Sequence, residues 1–222
     1  MLGSYSVNVS VSGMPQAVAS AWTEKIQSLV GASYKFIAYL GSQVVNGKNH
    51  AILAEQTVVA AQPTKNIVLI TMHQPTTDID GSTFDDVKIE QVLNGAPEGF
   101  MGGIAIDAKT GHDIPDAALR LFTSRLGQML GTTNRPFALL GTQVTNGICY
   151  FYAIKTDMVI QHDGDATALV PAHTSTIKLV KLSTNSNDYE FFDLIAGHSA
   201  DGVLGAENTN NLGYAFTWLG KK

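Results

Sequence analysis

The sequence predicts an α+β protein made of two tandem units, each with one helix packed on an antiparallel sheet of about four to five strands. Three observations predict this class. The chain aligns with itself at a shift of 100 residues, and each half contains one stretch with helical periodicity. Each helical stretch is followed by several β-prone runs separated by turn residues, which is typical of a helix lying on a sheet.

The self-similarity is strongest where residues 31–47 align with residues 131–147. Eight of these seventeen positions are identical, whereas background residue frequencies give about one. The shared residues, numbered in the first half, are Gly31, Ala38, Leu40, Gly41, Gln43, Val44, Asn46 and Gly47. We interpret the chain as a tandem duplication, with residues 1–99 as the first unit and residues 100–222 as the second unit with a C-terminal extension.

Each unit begins with a predicted amphipathic helix that has Pro near its start and Gly at its end. The helices are expected over residues 15–31 and 115–131. Apolar residues recur at helical spacing on one side of each helix, and these are Val18, Trp22, Ile26 and Leu29 in the first and Ala118, Phe122, Leu126 and Met129 in the second.

After each helix the pattern changes to that of β-strands. Asn46-Gly47 lies between two β-prone runs and predicts a tight hairpin turn. The predicted strands cover residues 34–45, 51–59, 66–72 and 87–93, then 136–145, 149–160, 176–182 and 189–195. An aromatic run near the end of the chain predicts one further edge strand, with Tyr214, Phe216 and Trp218. The helix of each unit is expected to cover one face of its sheet.

Composition and charge exclude several classes of partner. The chain has 14 Lys and Arg residues against 19 Asp and Glu residues, so it lacks the basic surface that nucleic acid requires. Its apolar runs are far shorter than the ~20 residues that span a bilayer, so no membrane partner is expected. With one cysteine and no recognisable secretory signal, a cytoplasmic location is expected, although secretion after signal removal stays open.

No motif predicts an enzyme, a metal site or a cofactor. The segments 78–81 and 162–165 resemble calcium loops but do not continue to the Glu that closes an EF-hand. Cys149 is expected to be a small buried apolar residue, because no basic neighbour activates it. His50 is expected on the exposed face of the hairpin or against a partner.

One motif carries a family resemblance. Gln43-Val44-Val45-Asn46-Gly47 fits Gln-x-Val-x-Gly, and it lies forty residues after Gly3, behind a predicted helix and within a predicted hairpin. A later strand leads into Gln74-Pro75, where stefins carry Leu-Pro on a second hairpin. With this context the chain resembles the cystatin family of cysteine peptidase inhibitors, and in particular the disulfide-free stefins.

The resemblance implies a protein inhibitor that binds a papain-like cysteine peptidase without covalent chemistry. Three segments would enter the active-site cleft together: the N-terminal trunk at Gly3, the hairpin at residues 43–47, and Gln74-Pro75. Gly47 is expected to allow a positive φ at the turn. The resemblance implies neither a catalytic residue nor a cofactor, and the oligomeric state stays open.

The second unit fits the family pattern less closely. Its possible second site comprises Gly103, Gln143, Val144, Thr145, Asn146 and Gly147. Thr145 replaces the motif's Val, and Leu182-Ser183-Thr184-Asn185 has no Pro. The first unit is therefore the better candidate for inhibition. The alternative is a non-inhibitory interaction or structural module built on the duplicated scaffold, since a fold does not determine a function.

Overall fold

In the computed structural model, which describes residues 5–77, 83–160 and 172–196, each half of the chain forms one five-stranded antiparallel sheet. The first half contains β1 (Tyr5–Ser10), α1 (Gln16–Ala21), β2 (Ala32–Val44), β3 (Gly47–Val58), β4 (Thr64–Pro75) and β5 (Asp86–Asn94). The second contains β6 (Ile104–Thr110), α2 (Asp116–Leu126), β7 (Thr132–Thr145), β8 (Gly147–Ile160), β9 (Ala172–Ser183) and β10 (Tyr189–Ala196).

Both halves have the same order of elements, and in both sheets the strands lie side by side in chain order. The predicted α+β class is confirmed. Two strands were not predicted, namely β1 and β6, which precede the helices. Both are short, with six and seven residues. In β1 the alternation of Tyr5, Val7 and Val9 with polar residues is nevertheless the pattern of a half-buried strand. The predicted strand around Tyr214, Phe216 and Trp218 lies outside the described residues.

The first helix is shorter than its periodicity predicts. α1 continues as a π-helical turn over Trp22–Ile26, in which the Gln27 amide donates to the Trp22 carbonyl over 3.1 Å. The chain then turns toward β2, with Gly31 at φ +92°. Val18, Trp22 and Ile26 are buried as predicted, but the prediction for Leu29 is wrong, because this side chain lies beyond the helix and is 41% exposed.

The second helix also ends early, at Leu126. Ala118, Phe122 and Leu126 are buried as predicted, and Met129, although it lies past the helix, packs against the same apolar cluster. Each helix thus covers one face of its own sheet. The side chains that α1 covers include Ile52, Val68 and Ile70, and those that α2 covers include Leu139, Tyr152 and Val180. None of the described helices is long and apolar enough to cross a bilayer.

The remaining faces of the two sheets pack against each other. One cluster of buried side chains draws on both halves, and it includes Ile37, Leu40, Leu53 and Leu69 with Ile106, Leu140, Phe151 and Leu179. The layers therefore run helix, sheet, sheet, helix. A sheet that is apolar on both faces needs cover on both, and the sister sheet supplies the cover that the helix does not.

β6 crosses the strands of the first sheet near the end opposite the hairpin of β2 and β3. Along β6, Ile106 lies beside Gly95, which follows β5, and the Ala108 amide donates to the Glu55 carboxylate of β3 over 3.2 Å. Glu55 also accepts from Lys65 over 2.9 Å, so its buried carboxylate is paired. These contacts fix the second sheet on the first.

We expect the shared core to make the two halves unfold together. Leu140→Ala should lower the free energy of unfolding by about 2–5 kcal/mol, because it removes a fully buried side chain from the inter-sheet cluster. Urea denaturation followed by Trp22 fluorescence, in a Trp218→Phe background, measures the effect in the other half. Leu130→Ala is the matched control, because Leu130 is 99% exposed and should change little. An unchanged Trp22 transition in the Leu140→Ala protein contradicts a shared core.

Candidate functional site

The register of the first sheet brings the sequence-predicted segments to one end. Gly47 lies opposite Pro75, Lys48 lies opposite Gln74, and Tyr5 at the start of β1 lies opposite Gln43. We call residues 43–48 with residues 73–75 the first hairpin end. Gly3 lies outside the described residues. The hairpin and Gln74-Pro75 are therefore adjacent, as the resemblance implies.

The turn of the first hairpin end is tight and its tip is open. Asn46 has φ +43°, a conformation that Asn tolerates better than most residues, and the Val45 amide donates to the Gly47 carbonyl over 3.1 Å. Val44 is 66% exposed and Asn46 is exposed, whereas Val45 is half-buried. The tip thus presents an exposed apolar side chain on a backbone that the sheet holds.

Gly47 is required for two reasons. Its φ is +129°, which confirms the predicted positive φ. In addition, a Cβ at this position would lie 2.3 Å from the Gln74 carbonyl oxygen and 2.6 Å from His73 Nε2. Glycine therefore lets the hairpin pack directly onto β4.

The His73 imidazole lies against the hairpin. Its Nδ1 is 2.6 Å from the Asp85 carboxylate, and its Nε2 is 3.2 Å from the Asn46 carbonyl oxygen. The hydrogen bond to Asp85 raises the pKa of His73 above its ordinary value, and contacts with the backbone of Asn46 and Val45 act in the same direction. No sequence pattern indicates this role, since Asp85 becomes a neighbour of His73 only through the pairing of β4 with β5.

His50 does not lie where the sequence predicts. It is only 5% exposed. Successive side chains of a strand point to opposite faces, and since Ala51 faces the shared core, His50 faces the α1 side of the sheet. Its Nδ1 is 2.9 Å from the Tyr39 hydroxyl, and its Nε2 is 3.4 Å from Gln74 Oε1. Burial lowers the pKa of His50, which favours the neutral ring at neutral pH. The expectation of an exposed or partner-contacting His50 is wrong.

The same network determines what Gln74 does. Its side chain meets His50 behind the hairpin, so Tyr39, His50 and Gln74 join β2, β3 and β4. Pro75, the next residue, is half-buried beside Gly47. Gln74 therefore supports the hairpin from behind, and the exposed residues of the first hairpin end are Val44, Asn46 and Lys48.

The second sheet forms a corresponding end, which we call the second hairpin end, from residues 143–148 with residues 183–185. Val144 is 66% exposed, and Thr145 and Asn146 are exposed. Gly103 precedes Ile104, which lies opposite Gln143, and the Gln143 side chain donates from Nε2 to the Gly102 carbonyl over 2.8 Å. The residues of the possible second site thus also share one end of a sheet.

The second hairpin is held by different side chains. Asn185 donates from Nδ2 to the Asn146 carbonyl over 2.6 Å, and the Thr184 hydroxyl accepts from the Ile148 amide over 3.0 Å. Gly147 has φ +119°, and a Cβ there would lie 2.8 Å from the Asn185 side chain. Two neutral side chains hold the turn in the half that lacks the proline.

Cys149 is buried in the shared core, as predicted. Within the described ranges, no group of three or more His, Cys, Asp and Glu side chains could hold a metal ion. The segments 78–81 and 162–165 lie outside the described residues.

No protein-family model matches this chain, and searches of the curated proteins and of the solved structures find no significant match.

The close approach at Gly47 can be tested against a glycine with positive φ and no neighbour. Gly31→Ala should cost about 1–2 kcal/mol of stability from backbone strain alone, since nothing lies within 4 Å of its added Cβ. Gly47→Ala should cost about 1–3 kcal/mol more, because the methyl group meets Gln74 and His73. Chemical denaturation measures both. Equal losses would mean that the hairpin does not need direct packing on β4.

Proposed function

We propose that the protein inhibits papain-like cysteine peptidases by inserting the first hairpin end into the active-site cleft. The observation that carries the proposal is the exposed Val44 at the tip of a hairpin whose backbone is fixed by β4 and His73. The order of one strand, one helix and four further antiparallel strands supports the likeness to cystatins that the sequence suggests.

The geometry suits inhibition without covalent chemistry. A hairpin held by its sheet loses little conformational entropy when it docks, so more of its contact energy becomes affinity. An insertion of this kind buries about 800 Å² per partner, the usual size of a specific interface. The enzyme's thiolate is covered while no peptide bond of the inhibitor needs to reach it.

The first half is the proposed inhibitory half. Its motif retains Val45 and its β4 ends at Pro75, whereas the second half has Thr145 and Asn185 at the register-equivalent positions. The shared order of elements supports a tandem duplication. Since Val44 and Val144 are equally exposed, the preference for the first half depends on these neighbouring residues.

A second candidate function is a non-inhibitory interaction module. Val30 is fully exposed and Leu130, its equivalent in the second half, is 99% exposed. Both precede the second strand of their sheet, at the end opposite the hairpin. In the first half Val59, which is 73% exposed, adjoins Val30, because the Val59 amide donates to the Gly31 carbonyl. An exposed apolar patch remote from the hairpin favours a partner contact there.

The two hairpins provide a matched test of the proposal. Val44→Asp should weaken inhibition of papain by tenfold or more, because it places a charge at the centre of a desolvated interface. Val144→Asp makes the same change at an equally exposed position and should leave inhibition unchanged. The measurement is the inhibition constant from titration of active papain.

Three results would count against the proposal. Absence of inhibition by the unaltered protein at micromolar concentration rejects it and favours the interaction module. Unchanged inhibition by the Val44→Asp protein removes the first hairpin end from the mechanism. A loss with Val144→Asp alone assigns inhibition to the second half.

A further inference from the structure

The same backbone oxygen is bonded in both hairpins, but by donors of different chemistry. In the first half the Asn46 carbonyl lies 3.2 Å from His73 Nε2, and in the second half the Asn146 carbonyl lies 2.6 Å from Asn185 Nδ2. An amide donates at every ordinary pH. An imidazole changes its hydrogen-bonding capacity when it titrates near neutral pH.

Both contacts of His73 can be hydrogen bonds only when the ring carries two protons. Nδ1 faces a carboxylate oxygen of Asp85 and Nε2 faces a carbonyl oxygen, and both of these atoms are acceptors. A neutral ring has one N–H, so one of its nitrogens would present a lone pair to an acceptor. Loss of one proton therefore breaks one of the two contacts and makes it repulsive.

Asp85 is the charged group in direct contact with His73, and it favours the protonated ring. Asp85 is bound to it twice, through its carboxylate and through its backbone amide, which donates to the His73 carbonyl over 3.2 Å. On β5, Asp86 lies opposite His73 and is followed two residues later by Lys88. On β3 the residue opposite is the neutral Asn49, and Lys48 precedes it.

We propose that protonated His73 is a positioning residue that holds the first hairpin end in its blocking geometry, so that a rise in pH loosens the first hairpin but not the second. This inference rests on the proposed function for its consequence, which is inhibition that weakens as the pH rises. The fixed hairpin itself is a property of the free protein.

The direction of the pH dependence follows from the ion pair. Contact with Asp85 raises the pKa of His73 above its ordinary value of about 6.5. The stabilisation of the hairpin is therefore fully present below pH 6.5 and is lost as the pH rises through the raised pKa in the folded protein.

The first test uses the free protein and NMR from pH 5 to pH 9. The His73 ring should titrate above the ordinary value. Exchange of the Val45 amide, which donates to the Gly47 carbonyl across the turn, should speed up over the same range once it is corrected for intrinsic base catalysis. Thr145, which pairs with Gly147 at the equivalent position, is the internal control and should show no such step. Asp85→Asn keeps an acceptor but removes the charge, so it should move the step to lower pH. Equal behaviour of the two hairpins overturns the inference.

The second test separates this inference from the proposed function. His73→Gln retains a neutral donor and should make inhibition independent of this titration. The ratio of inhibition constants, unaltered protein to His73→Gln, should rise roughly fivefold from pH 5 to pH 8, as expected for one lost hydrogen bond. The peptidase's own pH dependence cancels in this ratio. A constant ratio overturns the inference and leaves inhibition standing, whereas no inhibition at any pH rejects the proposed function and leaves the NMR test valid.

Discussion

The apolar contact between the two sheets is the constraint on which the rest of this structure depends. Each sheet has a face covered by its own helix and a second face that would lie in water if the halves were apart. Removal of these second faces from water is the dominant favourable contribution to the free energy of their association. The contact also leaves the hairpin turns outside the core, because Leu40 and Leu140 are buried in it while Val44 and Val144 remain exposed at the ends of the same strands.

Each hairpin is held by the strand that follows it in its sheet. This strand is β4 in the first half, and in the second half the contacts come from the residues directly after β9. In the first half Gly47 lets the turn lie directly on β4, and His73 bonds the Asn46 carbonyl. In the second half Thr184 and Asn185 make the corresponding contacts. The two halves thus present similar exposed tips on different supports, one of which includes an ionisable group. Differences between the halves in affinity or pH response would originate in these supports.

The sequence predicted the α+β class well, because this class depends on local periodicity and because the two halves contain the same order of elements. It placed the helices, eight of the ten described strands and the positive φ of Gly47. It failed where tertiary contacts decide the outcome. The early end of α1 exposes Leu29. The alternation of β3 buries His50, although a single polar residue shortly after a turn is usually expected to be exposed. The pairing of His73 with Asp85 depends on how β4 meets β5, and the packing of one sheet on the other leaves no periodic signal that distinguishes it from contact with a partner.

The most direct test of the account is a hydrogen-exchange footprint of the full chain on catalytically inactivated papain. The account predicts protection confined to the first hairpin end and the start of the chain. Exchange should be unchanged in the strand segments whose side chains form the shared core between the two sheets. Protection centred on Val30 and the adjoining exposed Val59, whose amide donates to the Gly31 carbonyl at the opposite end of the first sheet, would contradict it and assign the interaction to that end instead.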